Sequence, residues 1–300
     1  MPTPLDSSDL RTLLVSWNTS LKAERKSPET IRSYAFGVER FLRWCEERDL
    51  SPDLTRSRVR TWTEDLLSDG VSAATARTRQ LAIRRFSAWL AEEDEIPTDE
   101  LVGIKPIKLD QKITPALTDD EVSALVRACR GTRMQDYRDT ALVRLMVDTG
   151  IRAGECANLR LSDVRIPDET VIVRGGKGGK DRVMYLPAET QRALDRYLRK
   201  GRRGHVREGS DALWVGERGK TFSYDSLHKT LRKRADAAGL VDFHPHVLRH
   251  TFATNWLTDG GSEGSLMALA GWTRREMLDR YTRSTASARA MDEARRLRDG

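Results

Sequence analysis

The chain has 300 residues, enough for two domains that each bury a core. Charged residues make up 32% of it, and the formal net charge of +7 comes from residues 111–300, since residues 1–110 are slightly acidic; the C-terminal part is the better match for a polyanion, with a merely solubilising charge as the alternative. Three scattered cysteines (Cys45, Cys129, Cys156) argue against a disulfide framework or structural zinc site, and no apolar run resembles a membrane span or a secretory leader, so a cytoplasmic protein is expected.

LRTLLVSWNTSLKAER places Leu10, Leu13, Leu14, Trp17 and Leu21 at helical spacing. The next helix opens with Ser27 as cap and Pro28 in the first turn, and Ile31, Tyr34, Val38, Phe41 and Leu42 form its apolar face. A third helix is predicted around VRTWTEDLLSDG. A fourth starts after Ser72, with Leu81, Phe86 and Leu90 inward. It carries Arg77, Arg79, Arg84 and Arg85, which suit either a phosphate-binding or a solvated face.

Residues 106–117, rich in lysine and proline, read as a linker between an all-helical module (1–105) and a second domain (118–300). Thr118 to Glu121 has the pattern of a capping box, and DYRDTALVRLMVDTG is an apolar helix closed by Gly150. ETVIVRGG and KDRVMYLP read as two strands of a hairpin. Helices follow in AETQRALDRYLRKG, YDSLHKTLRKRADAAG and VLRHTFATNWLTDG, and a charged helix ends the chain. The predicted fold is mainly α with a small antiparallel sheet.

Four motifs stand out. Arg152, at a helix start in TGIRAGE, suits an anionic ligand or a structural pair with Glu155. GGKGGKDR joins two strands and lacks Walker-loop spacing, so nucleotide binding is weak here; Lys177 or Lys180 can instead reach DNA. In HPHVLRH, His246 and Arg249 share a helical face, and His246 and His250 stand four apart. No HExxH pattern or carboxylate cluster supports a metal. Trp272 precedes Tyr281 by nine residues; alone, either is an ordinary packing residue.

Taken in order, TGIR, the G-K-G hairpin, H-x-L-R-H and a tyrosine nine residues after a Gly-Trp pair resemble the tyrosine recombinases, among them phage integrases and Xer-type and Cre-like site-specific recombinases. The resemblance implies a catalytic domain of that fold behind a helical, SAM-like core-binding module. It implies cleavage of DNA without cofactor or metal: Tyr281 as nucleophile, Arg152 and Arg249 clamping the phosphate, Lys177 as general acid, and His246 assisting proton movement. Glu155 and His250 would support them. Trp272 stands where many members carry histidine; it can donate a hydrogen bond but not transfer a proton. Arg77, Arg79, Arg84, Arg85 and Lys180 are candidate DNA contacts.

The implied partners are double-stranded DNA core or attachment sites and three further copies of the chain, in a homo-tetramer that exchanges the C-terminal helix ASARAMDEARRLRDG on two duplexes. Accessory proteins are unspecified. With the helical module starting near residue 8, no additional arm-binding domain is expected. The reaction would pass through a 3′-phosphotyrosyl intermediate and a Holliday junction, for integration and excision by a phage or mobile-element integrase. Xer-type dimer resolution, a catalytically inactive DNA-binding regulator of the same fold and a relaxing topoisomerase are the alternatives.

Overall fold

The computed structural model describes residues 5–109, 115–175, 181–207, 209–220, 222–279, 281–282, 290, 291, 294, 295 and 298. The chain divides into two compact units, Met1–Lys112 and Ile113–Gly300.

The first unit holds four helices, α1 (Ser7–Ala23), α2 (Pro28–Glu46), α3 (Arg56–Ser68) and α4 (Ala73–Glu92). Their starts follow local chemistry: the side chains of Asp6, Ser27, Thr55 and Ser72 each accept from a first-turn N–H. Aromatic rings fill the core, with Trp17 stacked on Tyr34 and tilted against Phe86, and Phe41 edge-on to Trp62. Helices α2 and α4 cross where Gly37 has no side chain; a Cβ there would lie 2.6 Å from that of Ala82. One expectation is corrected. Leu81 is exposed, because at about 100° per residue it lies roughly 200° around α4 from the buried Ile83.

In the second unit, α5 (Asp119–Ala128) begins with the Thr118–Glu121 capping box, and α6 (Met134–Thr149) ends at Gly150 in the left-handed conformation. The short α7 (Ala153–Ala157) leads into a three-stranded antiparallel sheet of order β1-β2-β3: β1 (Val164–Arg165), β2 (Thr170–Val173) and β3 (Arg182–Tyr185). Val171 pairs with both Val164 and Met184. The hairpin matches the sequence pattern; the two-residue β1 is too short to leave one.

Then come α8 (Ala188–Arg196), continued by a wider π-helical turn over Tyr197–Arg202, and α9 (Tyr224–Ala237), α10 (His246–Thr258) and α11 (Glu263–Ala270). The core gathers Leu142, Leu145, Val171, Met184, Trp214, Leu231 and Leu248. One buried charge cluster is internally paired: Asp139 accepts from Arg138 at 2.8 and 3.0 Å and from Arg234 at 2.8 Å, tying α6 to α9. The C-terminal helix falls largely outside the described residues. No helix among them is long and apolar enough to cross a membrane.

Candidate active site

The end of α6 sets the first guanidinium in place. Gly150 has φ +58°, and a Cβ there would meet Phe252 Cδ1 at 2.3 Å, so both conformation and space require glycine. The chain then turns into α7 with Arg152 as its N-cap. Glu155 accepts from the Arg152 backbone N–H at 3.0 Å and from its Nη1 at 2.9 Å, while Arg152 Nη2 donates to the Gly271 carbonyl at 3.0 Å.

Arg249 enters from α10 and is 2% exposed. Its Nη1 donates to the Gly150 carbonyl at 2.8 Å and its Nη2 to the Ala270 carbonyl at 2.6 Å. Burial pushes its pKa down to about 10, and the like charge of Arg152 adds to the fall. It therefore remains a cation at neutral pH.

A third arginine completes the cluster. Arg182 of β3 grips Glu155 through Nη1 at 3.1 Å and Nη2 at 2.5 Å, and its Nε donates to the Leu269 carbonyl at 2.8 Å. Burial opposes the charge on Glu155, yet these donors hold its pKa below the usual carboxylate value. The carbonyls of Leu269, Ala270 and Gly271, at the C-terminus of α11, thus each accept from a different arginine. The negative end of a helix dipole suits that arrangement.

Sequence reasoning missed Arg182, although a signal was present. In a strand, residues two apart share a face, and Arg182 shares that of buried Met184. A cation on an inward face needs a partner.

Tyr281 is 5% exposed and lies between two rings. Trp272 stacks on one side, with centroids 5.0 Å apart and planes at 21°; His250 lies 5.0 Å away at 37°. His246 meets His250 edge-on at 5.1 Å. The i, i+4 spacing thus brings both imidazoles into one file, with buried His250 against the tyrosine and exposed His246 beyond it. The Arg249 guanidinium carbon sits 5.3 Å from the Trp272 ring centre. Trp272 Nε1 is buried without a hydrogen-bond acceptor among the described residues.

The structure thus gathers Arg152, Glu155, His246, Arg249, His250, Trp272 and Tyr281 into one region. Lys177 and Lys180 lie outside the described residues. Arg77, Arg79, Arg84 and Arg85 do not form a single patch on α4. Arg77 and Arg85 are exposed, while half-buried Arg79 faces α2 with its guanidinium carbon 5.6 Å from the Phe36 ring centre. Its Nε and Nη1, and the Nε of Arg40, are buried without acceptors among the described residues. The pair across the two helices escaped the sequence reading because it depends on how α2 and α4 cross.

Comparisons with known proteins fit this geometry. The model of the phage integrase family matches residues 115–288, and that of the phage integrase N-terminal SAM-like domain matches residues 14–94. The chain is 31% identical over 290 residues to tyrosine recombinase XerD of Corynebacterium glutamicum, covering 93% of this chain and 95% of that protein. It is 30% identical to tyrosine recombinase XerA of Thermococcus kodakarensis over 284 residues, 93% of each chain. A solved structure of XerH site-specific recombinase, bound to a palindromic difH substrate in a post-cleavage complex, superimposes with a TM-score of 0.74 at 21% identity, covering 97% of this chain and 84% of that one. With the helical SAM-like module, the small sheet and the arginine–tyrosine cluster, these matches make the chain a member of the phage integrase family, an enzyme of the site-specific tyrosine recombinase class.

Proposed function

We propose that the protein cleaves and rejoins double-stranded DNA at specific core sites, with Tyr281 as the nucleophile. The observation that carries this reading is the meeting of Tyr281 and Trp272 with Arg249, whose guanidinium shares the end of α11 with that of Arg152.

In the proposed step a bond forms between Tyr281 Oη and the scissile phosphorus while the bond from phosphorus to the 5′-oxygen breaks. The phenolic proton passes to the imidazole file of His250 and His246, and the leaving oxygen takes a proton from Lys177. Arg152 and Arg249 meet the negative charge that gathers on the non-bridging oxygens, the work that metal ions do in other phosphoryl-transfer enzymes. The buried Trp272 N–H supplies one further donor. The 3′-phosphotyrosyl bond preserves the energy needed for rejoining, so strands can be exchanged through a Holliday junction. Four copies would act on two duplexes, exchanging their C-terminal helices, on DNA in the cytoplasm.

The test is a nicked suicide substrate. A covalent protein–DNA band is expected in the wild type, including in the presence of a chelator, and absent in Tyr281→Phe. A band that persists in that variant, or that chelation removes, overturns the reading.

For the biological task we infer integration and excision of a phage or mobile element, on the strength of Trp272 at a position where many family members carry histidine. Xer-type resolution of dimers is the second reading, favoured by the near end-to-end match with XerD and XerA. Sequencing the junctions made in cells separates them: integration joins two unlike sites, whereas resolution recombines two copies of one site.

A further inference from the structure

Arg182 is the last residue of the GGKGGKDR stretch, beyond its two lysines, and it is more deeply set than Arg152. Its side chain is 10% exposed against 26% for Arg152, and the carboxylate between them is 11% exposed. The two arginines do not share Glu155 evenly. Arg182 reaches both carboxylate oxygens through two nitrogens of one fork, while the Arg152 side chain reaches only Oε1. Fork-to-fork pairing is the stronger of the two geometries. Both guanidinium groups also lie within 4 Å of where a side chain on Gly271 would begin, so they are packed side by side.

We propose that Arg182 is a positioning residue of the phosphate clamp: it takes up the charge of Glu155 and ties that carboxylate to the end of α11, leaving Arg152 aimed at the DNA. This rests on the proposed function. Two guanidinium groups meet one carboxylate here, and the charge of Arg249 stands near enough to be felt by both, so the cluster keeps a net positive charge. Without Arg182, Glu155 would sit buried with Arg152 as its remaining guanidinium partner. Arg152 would then turn its own fork onto both oxygens, and the cation meant for the phosphate would be neutralised. The Leu269 carbonyl would lose its donor at the same time, loosening the helix end that also holds Arg249.

The test uses the full chain on nicked DNA and measures both affinity and the rate of covalent adduct formation. Arg182→Met is expected to bind DNA about as well as the wild type but to form adduct about 100-fold more slowly, the scale of an ångström-sized misplacement. Adding Glu155→Gln removes the carboxylate that captures Arg152, so the double variant is expected to react about tenfold faster than Arg182→Met. The deficit should also shrink when the scissile phosphate is replaced by a neutral methylphosphonate, which asks less of the clamp; a purely structural defect would not follow the charge of the substrate. Should Arg182→Met fail to fold, Arg182→Lys carries the same comparison, because lysine lacks the fork. An unimpaired Arg182 variant, or a double variant no faster than the single, overturns the proposal. A wild-type chain that forms no adduct overturns the nucleophile assignment with it, whereas a wild-type adduct and an equally fast Arg182 variant overturn this proposal alone.

Discussion

Trp272 and Tyr281 lie ring against ring, 5.0 Å between centroids, with the guanidinium carbon of Arg249 5.3 Å from the indole centre. On the proposed mechanism the indole has two tasks, packing the nucleophile and offering an N–H, and substitutions can separate them. Trp272→Phe keeps a flat ring and deletes a buried donor that has no acceptor among the described residues. Its melting temperature is expected to equal or exceed that of the wild type, with adduct formation on nicked DNA about 100-fold slower but not lost. Trp272→Ala should destabilise the fold by about 3–5 kcal/mol as well, since it empties a site bordered by Leu266, Ala270 and Leu278. Thermal melting beside the adduct assay checks both; complete loss of adduct in Trp272→Phe counts against the donor role.

A second expectation concerns pH. The pKa of Arg249 falls to about 10 on folding because of burial and the charge of Arg152. A cation with a depressed folded value binds its proton less tightly in the native state than in the unfolded one. Below about pH 10 both states keep the proton and the group adds no slope. Above it the native state releases the proton first, so its contribution to stability rises with pH. Denaturant midpoints of the wild type and Arg249→Met should therefore differ by a constant from pH 6 to pH 9. They should move in favour of the wild type above about pH 10. A difference that changes between pH 6 and pH 9 would point to a titrating group other than Arg249.

In the first unit, Arg79 and Arg40 lie close enough for the charge of Arg40 to lower the pKa of Arg79, after the larger effect of burial. Neither makes an ion pair among the described residues. Arg79→Met is expected to stabilise the DNA-free protein by roughly 1 kcal/mol, since it deletes buried N–H groups without acceptors and preserves most of the packing. The same change should weaken DNA binding and reduce its logarithmic salt slope by about 1, if the guanidinium meets a phosphate. Melting curves and binding measured at several salt concentrations give the two readouts, and an unchanged salt slope would remove Arg79 from the DNA interface.

What could be read from the sequence was what is local. Ser27, Ser72 and the Thr118–Glu121 box announce helix starts because a cap and its N–H groups are neighbours in the chain. Gly150 announces a helix end for the same reason. Tyr281, Arg152 and Arg249 were legible through motif order, which carries a resemblance that no single residue does. Leu81 was misjudged because helical spacing gives a face but leaves the width of the buried arc open. Arg182 and the Arg40–Arg79 approach depend on contacts between elements far apart in sequence, whereas β1, with two residues, is too short to show an alternation. The short helix α11 was also missed: its eight residues, EGSLMALA, carry polar side chains only in the first turn and so mark no period.

The two carbonyls that hold Arg249 belong to the protein itself, so the side chain is immobilised before any nucleic acid arrives. A free arginine carries roughly 2 kcal/mol of rotameric freedom, and in this pocket that loss is part of reaching the native state. If Arg249 clamps phosphate as proposed, the pocket would greet every phosphodiester alike, whatever bases flank it, because contacts to the backbone carry no base identity. Discrimination between one target and another must come from elsewhere on the molecule, and redirecting the enzyme to a new site should leave this pocket untouched.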